Sequence, residues 1–280
     1  MHGRAQNLIA AVKKSPKVFT LAGKQKDFSD LCGSLICFGL GHVKMAAGSR
    51  LSYEDEQIFR GTPEQLMDAE VGDLSVVLIE NPEAKDTLCV GLEDERFIRG
   101  KVPMTKSEVR SVSMARLHLC ADSVCWDVGA GTGSVSVEMA LCCPEGMVYA
   151  AEKKPEAVTL IRQNAAALGA SNLVAVQGEA PEILEDLPVP DRVFVGGSSG
   201  NLEEIVNAAV SRNPQVRIVI NAISLETVTQ ALGAAEQAQG RGLQISCIQS
   251  ARAKTVSSYH MMMGENPVYV ISFDGPGESI

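Results

Sequence analysis

Residues 123–138, SVCWDVGAGTGSVSVE, constrain this chain more than any other stretch. A short apolar run, Val124 to Val128, carries Asp127 near its end. Gly129, Gly131 and Gly133 follow, and a helix-compatible segment opens at Ser134. Apolar strand, glycine turn and helix start form the layout by which α/β proteins hold a nucleotide-like ligand over their strand ends. Glycine permits positive φ and lets backbone amides approach a ligand with no Cβ in the way. The helix N-terminus beyond adds a partial positive pole.

Spacing refines this reading. The dinucleotide fingerprint is G-x-G-x-x-G, whereas this chain has G-x-G-x-G, with Ser134 where the third glycine should fall. The tighter form, with Asp127 two residues before Gly129, resembles the first motif of S-adenosylmethionine-dependent methyltransferases. A nicotinamide-dependent oxidoreductase is the alternative enzyme, disfavoured by that spacing. An ordinary tight strand-to-helix turn is the bland reading of the loop taken alone.

With 280 residues the chain holds one large or two modest domains, and 45% hydrophobic residues make it globular. No apolar run reaches the roughly 18 residues of a membrane span, and no signal peptide opens the chain, so a cytoplasmic enzyme is expected. The amphipathic start, MHGRAQNLIAAVKKSP, is a helix candidate. A formal net charge of −9 argues against nucleic acid as partner, while leaving room for a local basic pocket. The eight cysteines form no C-x-x-C and there are only four histidines, so no metal site is expected. Those cysteines are expected to be reduced and mostly buried.

Residues 1–90 read as a small α/β unit. Helix 7–14 and strand 17–21 lead to 27–37, expected to hold a second helix and a strand. Thr62-Pro63-Glu64-Gln65 is a capping-box start, and 74–80 is a strong strand. The turn-rich 81–102 reads as a boundary, with 91–102 as linker. Thr105 and Glu108 suggest another capping box opening a helix over 106–118, with Arg110 and Arg116 on its surface. Strands and helices then alternate regularly from 124 to 273, with strands at 124–128, 147–152, 173–177, 192–195, 216–222, 243–249 and 268–273. This predicts an α/β fold with a Rossmann-like, seven-stranded, mainly parallel sheet over 103–280, and a smaller N-terminal α/β lobe.

Several strand ends carry chemistry. Glu152 ends the second of these strands and can accept hydrogen bonds from both ribose hydroxyls of an adenosyl group. Gly178-Glu179-Ala180-Pro181 follows the third, where Glu179 can read an adenine edge and Ala180 can pack on the ring. The glycine-rich DRVFVGGSSG follows the fourth and lacks the N/D-P-P-Y/F tetrapeptide of amino-group methylation. Arg252, Lys254 and His260 lie in the segment before the last strand. With Lys106 and Arg110 they are expected to ring a pocket for a carboxylate-rich substrate. Each element also has a bland reading: solvated charges, a helix start, a tight loop.

Taken together, PMTKSEVR, DVGAGTGSVSVE, AAEKKPEA, GEAP, VFVGGSSG and the AR…HMMM…NPV tail resemble the decarboxylating precorrin methyltransferases of cobalamin biosynthesis. The similarity covers about residues 103–273, the C-terminal half of the bifunctional precorrin-6Y C(5,15)-methyltransferase family. LSYEDEQIFRGTPEQL, GDLSVVLIE and GLEDERFIRG look like the second half of the preceding tetrapyrrole methylase domain. The glycine-rich motifs of that domain are missing from residues 1–90. A partial, non-catalytic lobe is therefore expected, with methylation at ring carbon 5 lost; a docking or oligomerisation role is its alternative.

The resemblance implies a class I S-adenosyl-L-methionine-dependent methyltransferase, with S-adenosylhomocysteine as product. Thr105, Asp127, Gly129, Ala130, Gly131, Thr132, Gly133, Glu152, Glu179 and Ala180 form its cofactor site. It implies methylation of a precorrin or cobalt-precorrin at ring carbon 15, coupled to loss of carbon dioxide from the ring-C acetate, in a homo-oligomer such as a tetramer. Lys106, Arg110 and Arg252 are the candidates for substrate carboxylates; no side chain is assigned to decarboxylation.

Overall fold

A computed structural model describes residues 7–86 and 88–277. Residues 1–6 of the amphipathic start, Thr87 and the last three residues lie outside the described residues. Among the described residues the strands form three sheets, and the chain divides into two units.

The chain up to Leu88, together with Ala165–Ser171, forms one unit. Its elements are α1 (Leu8–Lys14), β1 (Lys17–Ala22), α2 (Gln25–Cys37), β2 (Lys44–Ser49), β3 (Gln57–Gly61), α3 (Pro63–Leu66) and β4 (Ser75–Glu80). The Thr62 box forms as its sequence predicts: Gln65 N donates to Thr62 Oγ1, and Thr62 N donates to Gln65 Oε1. Residues 27–37, expected to hold a helix and then a strand, are helical throughout. Phe28, Cys32 and Leu35 repeat with helical spacing and are all buried. The sheet runs β1–β4–β2–β3 with every neighbour antiparallel. Val77 and Ile79 of β4 join the apolar stripe of α2 in one core.

The second unit, Cys89–Asn164 and the chain from Asn172 onward, begins earlier than the sequence suggests. Residues 91–102, expected as a linker, belong to it. Leu92, Asp94 and Phe97 are all buried there. It contains α4 (Ser107–Leu117), β5 (Val124–Val128), α5 (Ser134–Cys142), β6 (Met147–Glu152), α6 (Pro155–Leu168), β7 (Leu173–Gln177), β8 (Arg192–Val195), α7 (Leu202–Arg212), β9 (Arg217–Ala222) and α8 (Leu225–Gln237). Four further strands follow: β10 (Arg241–Ile248), β11 (Ala251–Val256), β12 (Tyr259–Gly264) and β13 (Val268–Asp274).

The seven-stranded sheet has the order β10–β13–β9–β8–β5–β6–β7. β13 is antiparallel to both neighbours, and the other four pairings are parallel. Apolar residues on one face, including Trp126, Val193 and Ile218, pack against Ile205 and Val206 of α7 and Ala231 and Ala234 of α8. Chain order runs outward from β5 through β6 to β7, then returns to β8 and β9 on the other side. The crevice beyond the C-terminal ends of β5 and β8 is therefore a topological switch point, where open α/β sheets bind ligands.

Two local expectations change. The Thr105–Glu108 box does not form, and α4 starts at Ser107, with Lys106 at the N-cap position and no side-chain cap. The segment between the last two sheet strands, read as a loop, is the two-stranded hairpin β11–β12, almost wholly exposed. Cys32, Cys125 and Cys143 are buried, but Cys37, Cys120 and Cys247 are exposed.

Candidate cofactor and substrate site

At the switch point lies a cavity of about 490 Å³ whose wall includes Gly129, Ala130 and Gly131. These residues stay open because no side chain fits. Gly129 has φ +70°, and a Cβ there would lie 2.3 Å from Gly197 O. Gly131 has φ +58°, and its Cβ would lie 2.8 Å from Pro103 O. The loop is thus held between the turn after β8 and the segment 102–106, with its backbone bordering the cavity.

Glu152, at the end of β6, lines the same cavity and is only 8% exposed. Its Oε2 accepts from Gly131 N at 2.9 Å and its Oε1 from Lys154 N at 3.0 Å. A carboxylate held by two backbone donors keeps lone pairs for a ligand's hydroxyl groups. Glu179 and Ala180, after β7, line the cavity too. Glu179 pairs with Lys153 at 3.4 Å. Thr105 lies on the wall, its carbonyl accepting from Arg110 Nη1 at 2.7 Å.

Three residues of the expected cofactor set stand behind the wall rather than in it. Asp127, Thr132 and Gly133 do not line the cavity. Asp127 is fully buried and accepts from the Ser136 hydroxyl, while its Oδ1 has no hydrogen-bond partner among the described residues. Burial pushes its carboxyl up to about 7, with a smaller contribution from the Glu152 charge. Gly133 has φ +77°, and a Cβ there would lie 3.1 Å from Ile161 Cγ1. It sets the packing of the helix start.

The expected ring of cations is corrected by the structure. Lys106 lines the cavity. Arg110, expected on the surface, is fully buried. Its Nε donates to Glu138 Oε1 at 2.7 Å, its Nη1 reaches Asp94 Oδ1 at 3.2 Å, and its Nη2 donates to Leu92 O. Phe97 stacks 4.8 Å from the guanidinium. All three of its nitrogens are committed inside the chain. Arg252, on β11, is engaged by Glu108 and Asp94, and does not line the cavity. Its hydrogen bond to Glu108 holds that carboxyl below its ordinary value. Lys254, His260 and Met261–Met263 lie on the exposed hairpin.

Sequence reasoning missed the wall across from Glu152. Asn221 at the end of β9, together with Ser250, Glu265 and Asn266, lines it. The Asn221 side chain is 3.0 Å from Ser113 Oγ. The strand-end rule points to Asn221 and the NPV tail contains Asn266; no motif points to Ser250 or Glu265.

The sheet order, switch-point cavity and strand-end carboxylate define the class I S-adenosylmethionine-dependent methyltransferase fold. Residues 96–274 match the precorrin methyltransferase domain model, and the chain belongs to that family. It is 44% identical over 185 residues to a probable cobalt-precorrin-6B C(15)-methyltransferase (decarboxylating) of Pyrobaculum calidifontis, covering 65% of this chain and 94% of that protein. A crystal structure of precorrin-6y C5,15-methyltransferase from Geobacter metallireducens aligns with TM-score 0.63 and 40% identity, covering 67% of this chain and 98% of that one. A precorrin 8W decarboxylase from Methanobacterium thermoautotrophicum aligns with TM-score 0.61 and 34% identity, covering 65% and 98%.

Proposed function

We propose that the chain catalyses S-adenosylmethionine-dependent C-methylation of a precorrin or cobalt-precorrin at ring carbon 15, coupled to decarboxylation of the ring-C acetate, in cobalamin biosynthesis. The observation that carries this reading is family membership over a segment that contains the whole cavity wall. The residues present suit an adenosyl cofactor: a glycine cradle that a Cβ would fill, and beside it a carboxylate already oriented by two amides. Bound there, S-adenosylmethionine supplies an electrophilic methyl group.

The chain's own residues bind and position. Glu152 takes the ribose hydroxyls, Glu179 and Ala180 flank the adenine, and Thr105 with Gly129–Gly131 borders the remainder. Asp127, Thr132 and Gly133 hold that loop from behind. An electron-rich tetrapyrrole carbon is its own nucleophile, so alignment matters more than a strong general base. Gly197 helps here, because a Cβ at that position would meet nothing within 4 Å. The space beside β8 therefore stays open for a bulky planar acceptor. Lys106 is a cation available at the wall for a substrate carboxylate.

Incubation with S-adenosylmethionine and a precorrin or cobalt-precorrin, followed by mass spectrometry, tests the reading. One methyl gained and one carbon dioxide lost is the expected change. A product methylated without loss of carbon dioxide, or none at all from a chain that binds S-adenosylhomocysteine, overturns it.

The reading extends to the rest of the chain. Residues 1–90 are a partial tetrapyrrole methylase lobe without activity at ring carbon 5, and 103–280, with the segment 91–102 packed into the same unit, are the catalytic domain. Support comes from the upstream motifs; deletion of 1–90 with the methylation retained is the expected result. We further assign a cytoplasmic location, in keeping with exposed free thiols at Cys37, Cys120 and Cys247. Self-association, as a tetramer, uses the exposed hairpin, where Tyr259 is 74% and Met262 64% exposed. Tyr259→Asp with Met262→Asp should shift light-scattering mass toward the monomer; an unchanged mass removes the hairpin from the interface.

A further inference from the structure

Residues 94–108 bring Pro103, Met104, Thr105 and Lys106 along the cavity wall, and both ends of this strap are gripped by one side chain of the hairpin. Arg252 Nη1 lies 2.7 Å from Asp94 Oδ2, an ion-pair contact out of line for a full hydrogen bond. Its Nε and Nη2 meet the two oxygens of Glu108 at 3.0 and 2.6 Å, and Nη2 also reaches Ser107 Oγ at 3.1 Å. A bidentate guanidinium–carboxylate pair fixes orientation as well as distance.

From inside, Arg110 grips the same strap. Its Nη1 meets Asp94 Oδ1 and Thr105 O, so Asp94 stands between the two arginines, one oxygen to each. Glu138 closes the chain. It accepts from Arg110 Nε and Leu92 N on Oε1, and from Gly91 N on Oε2. Glu138 lies on α5, the helix that begins at the glycine loop. The path thus runs from an exposed hairpin, through Arg252, Asp94 and Arg110, to Thr105 and to the cofactor helix.

We propose that Arg252 and Arg110 are positioning residues which couple hairpin β11–β12 to the strap 94–108, and so set the cofactor wall at Thr105, rather than binding substrate carboxylates. This rests on the methyltransferase reading above. Arg252 is the informative position. Its side chain is 30% exposed and its partner Glu108 41%. Loss of the grip therefore loosens the strap while the buried Asp94 keeps Arg110 as its cation through Oδ1.

The test uses the full chain with Arg252→Met, Arg252→Lys, Glu108→Gln and the Arg252→Met/Glu108→Gln double variant. S-adenosylhomocysteine affinity is read by calorimetry, amide hydrogen exchange over 94–108 by mass spectrometry, and turnover against both substrates. Arg252→Met should raise the S-adenosylhomocysteine Kd and the S-adenosylmethionine KM about 5- to 20-fold, the lower range of intersite coupling. The change in kcat should stay within about twofold, since no group touching the reacting atoms is removed. Exchange across 94–108 should quicken, lysine should restore part of the affinity, and the double variant should be no worse than Arg252→Met. A lowered melting temperature with unchanged Kd and exchange overturns the coupling. A rise in KM for the tetrapyrrole alone returns Arg252 to the substrate. Should Arg252→Met not fold, Glu108→Gln carries the same expectations. A wild-type chain that binds no S-adenosylhomocysteine removes both readings; normal wild-type binding with unmoved variants removes this one alone.

Discussion

Replacing Glu152 separates a ligand-binding carboxylate from one that merely staples a loop. Its two oxygens accept from Gly131 N at 2.9 Å and Lys154 N at 3.0 Å, in a side chain only 8% exposed. Hydrogen bonds to a charged acceptor contribute about 1.5–3 kcal/mol each, and an orphaned buried donor costs about 1–3 kcal/mol. Glu152→Gln keeps the shape but turns an NH2 toward one of the two amides, so it should lose about 2 kcal/mol of loop stability. Glu152→Ala removes both contacts and any ribose hydroxyl partner. If Glu152 holds the ribose, its S-adenosylhomocysteine Kd should rise roughly 10- to 100-fold, equivalent to about 1.4–2.8 kcal/mol. Calorimetric titration gives Kd, and melting of the free chain gives the loop term independently. A lowered melting temperature with a Kd within about twofold of wild type would refute the ribose assignment while leaving the staple intact.

Gly129→Ala puts a Cβ 2.3 Å from Gly197 O at φ +70°, so it should abolish measurable S-adenosylhomocysteine binding; near-wild-type affinity would show that the loop adapts. Asp127→Asn tests the buried carboxyl. Its folded value of about 7 lies above the ordinary 3.8, so the folded state keeps a proton that the unfolded state releases between about pH 4 and 7. The Asp127 contribution to stability therefore falls as pH rises through that window and is level above it. The melting-temperature advantage of Asp127→Asn over wild type should grow from pH 4 to 7, and a constant difference refutes this. Arg110→Met leaves Glu138 buried without its cation and Asp94 with Arg252 alone, which should cost about 3–5 kcal/mol in denaturant unfolding; a loss below about 1 kcal/mol would mean water replaces it.

The architecture of the second unit was legible because its signals are local. Val124–Val128, Met147–Glu152 and Arg192–Val195 are short apolar runs bounded by turns, and α6, between the second and third, carries an apolar stripe of Val158, Ile161 and Leu168. Antiparallel insertion of β13 between β9 and β10 was not legible. Strand direction depends on partners far apart in sequence, such as Tyr269 with Ala222 and Ile248 with Val268. The hairpin was missed for a related reason. Neither face of β11–β12 is buried, so its composition shows none of the alternation that marks a half-buried strand.

The site divides along the same line, and the division says where charge is left for a substrate. Glycines and Glu152 announce themselves because backbone geometry and strand ends restrict what can stand there. Arginines do not: a long cation on a helix reads as a solvated face, and Arg110 has that appearance in SEVRSVSMARL. Only the fold brings Glu138 and Asp94 to it, turning an expected surface charge into a buried one. Once Arg110 and Arg252 are matched by Glu138, Asp94 and Glu108, that cluster holds two cations against three carboxylates and offers an anionic ligand nothing. Lys153 is likewise engaged by Glu179. Among the described residues, Lys106 and Lys154 are then the lysines on the wall without such an ion-pair partner. A substrate rich in carboxylates must therefore be met by few, well-placed cations rather than by a basic rim, and Lys106→Met should raise its KM far more than it alters the S-adenosylhomocysteine Kd. Equal changes in both would place Lys106 on the cofactor instead.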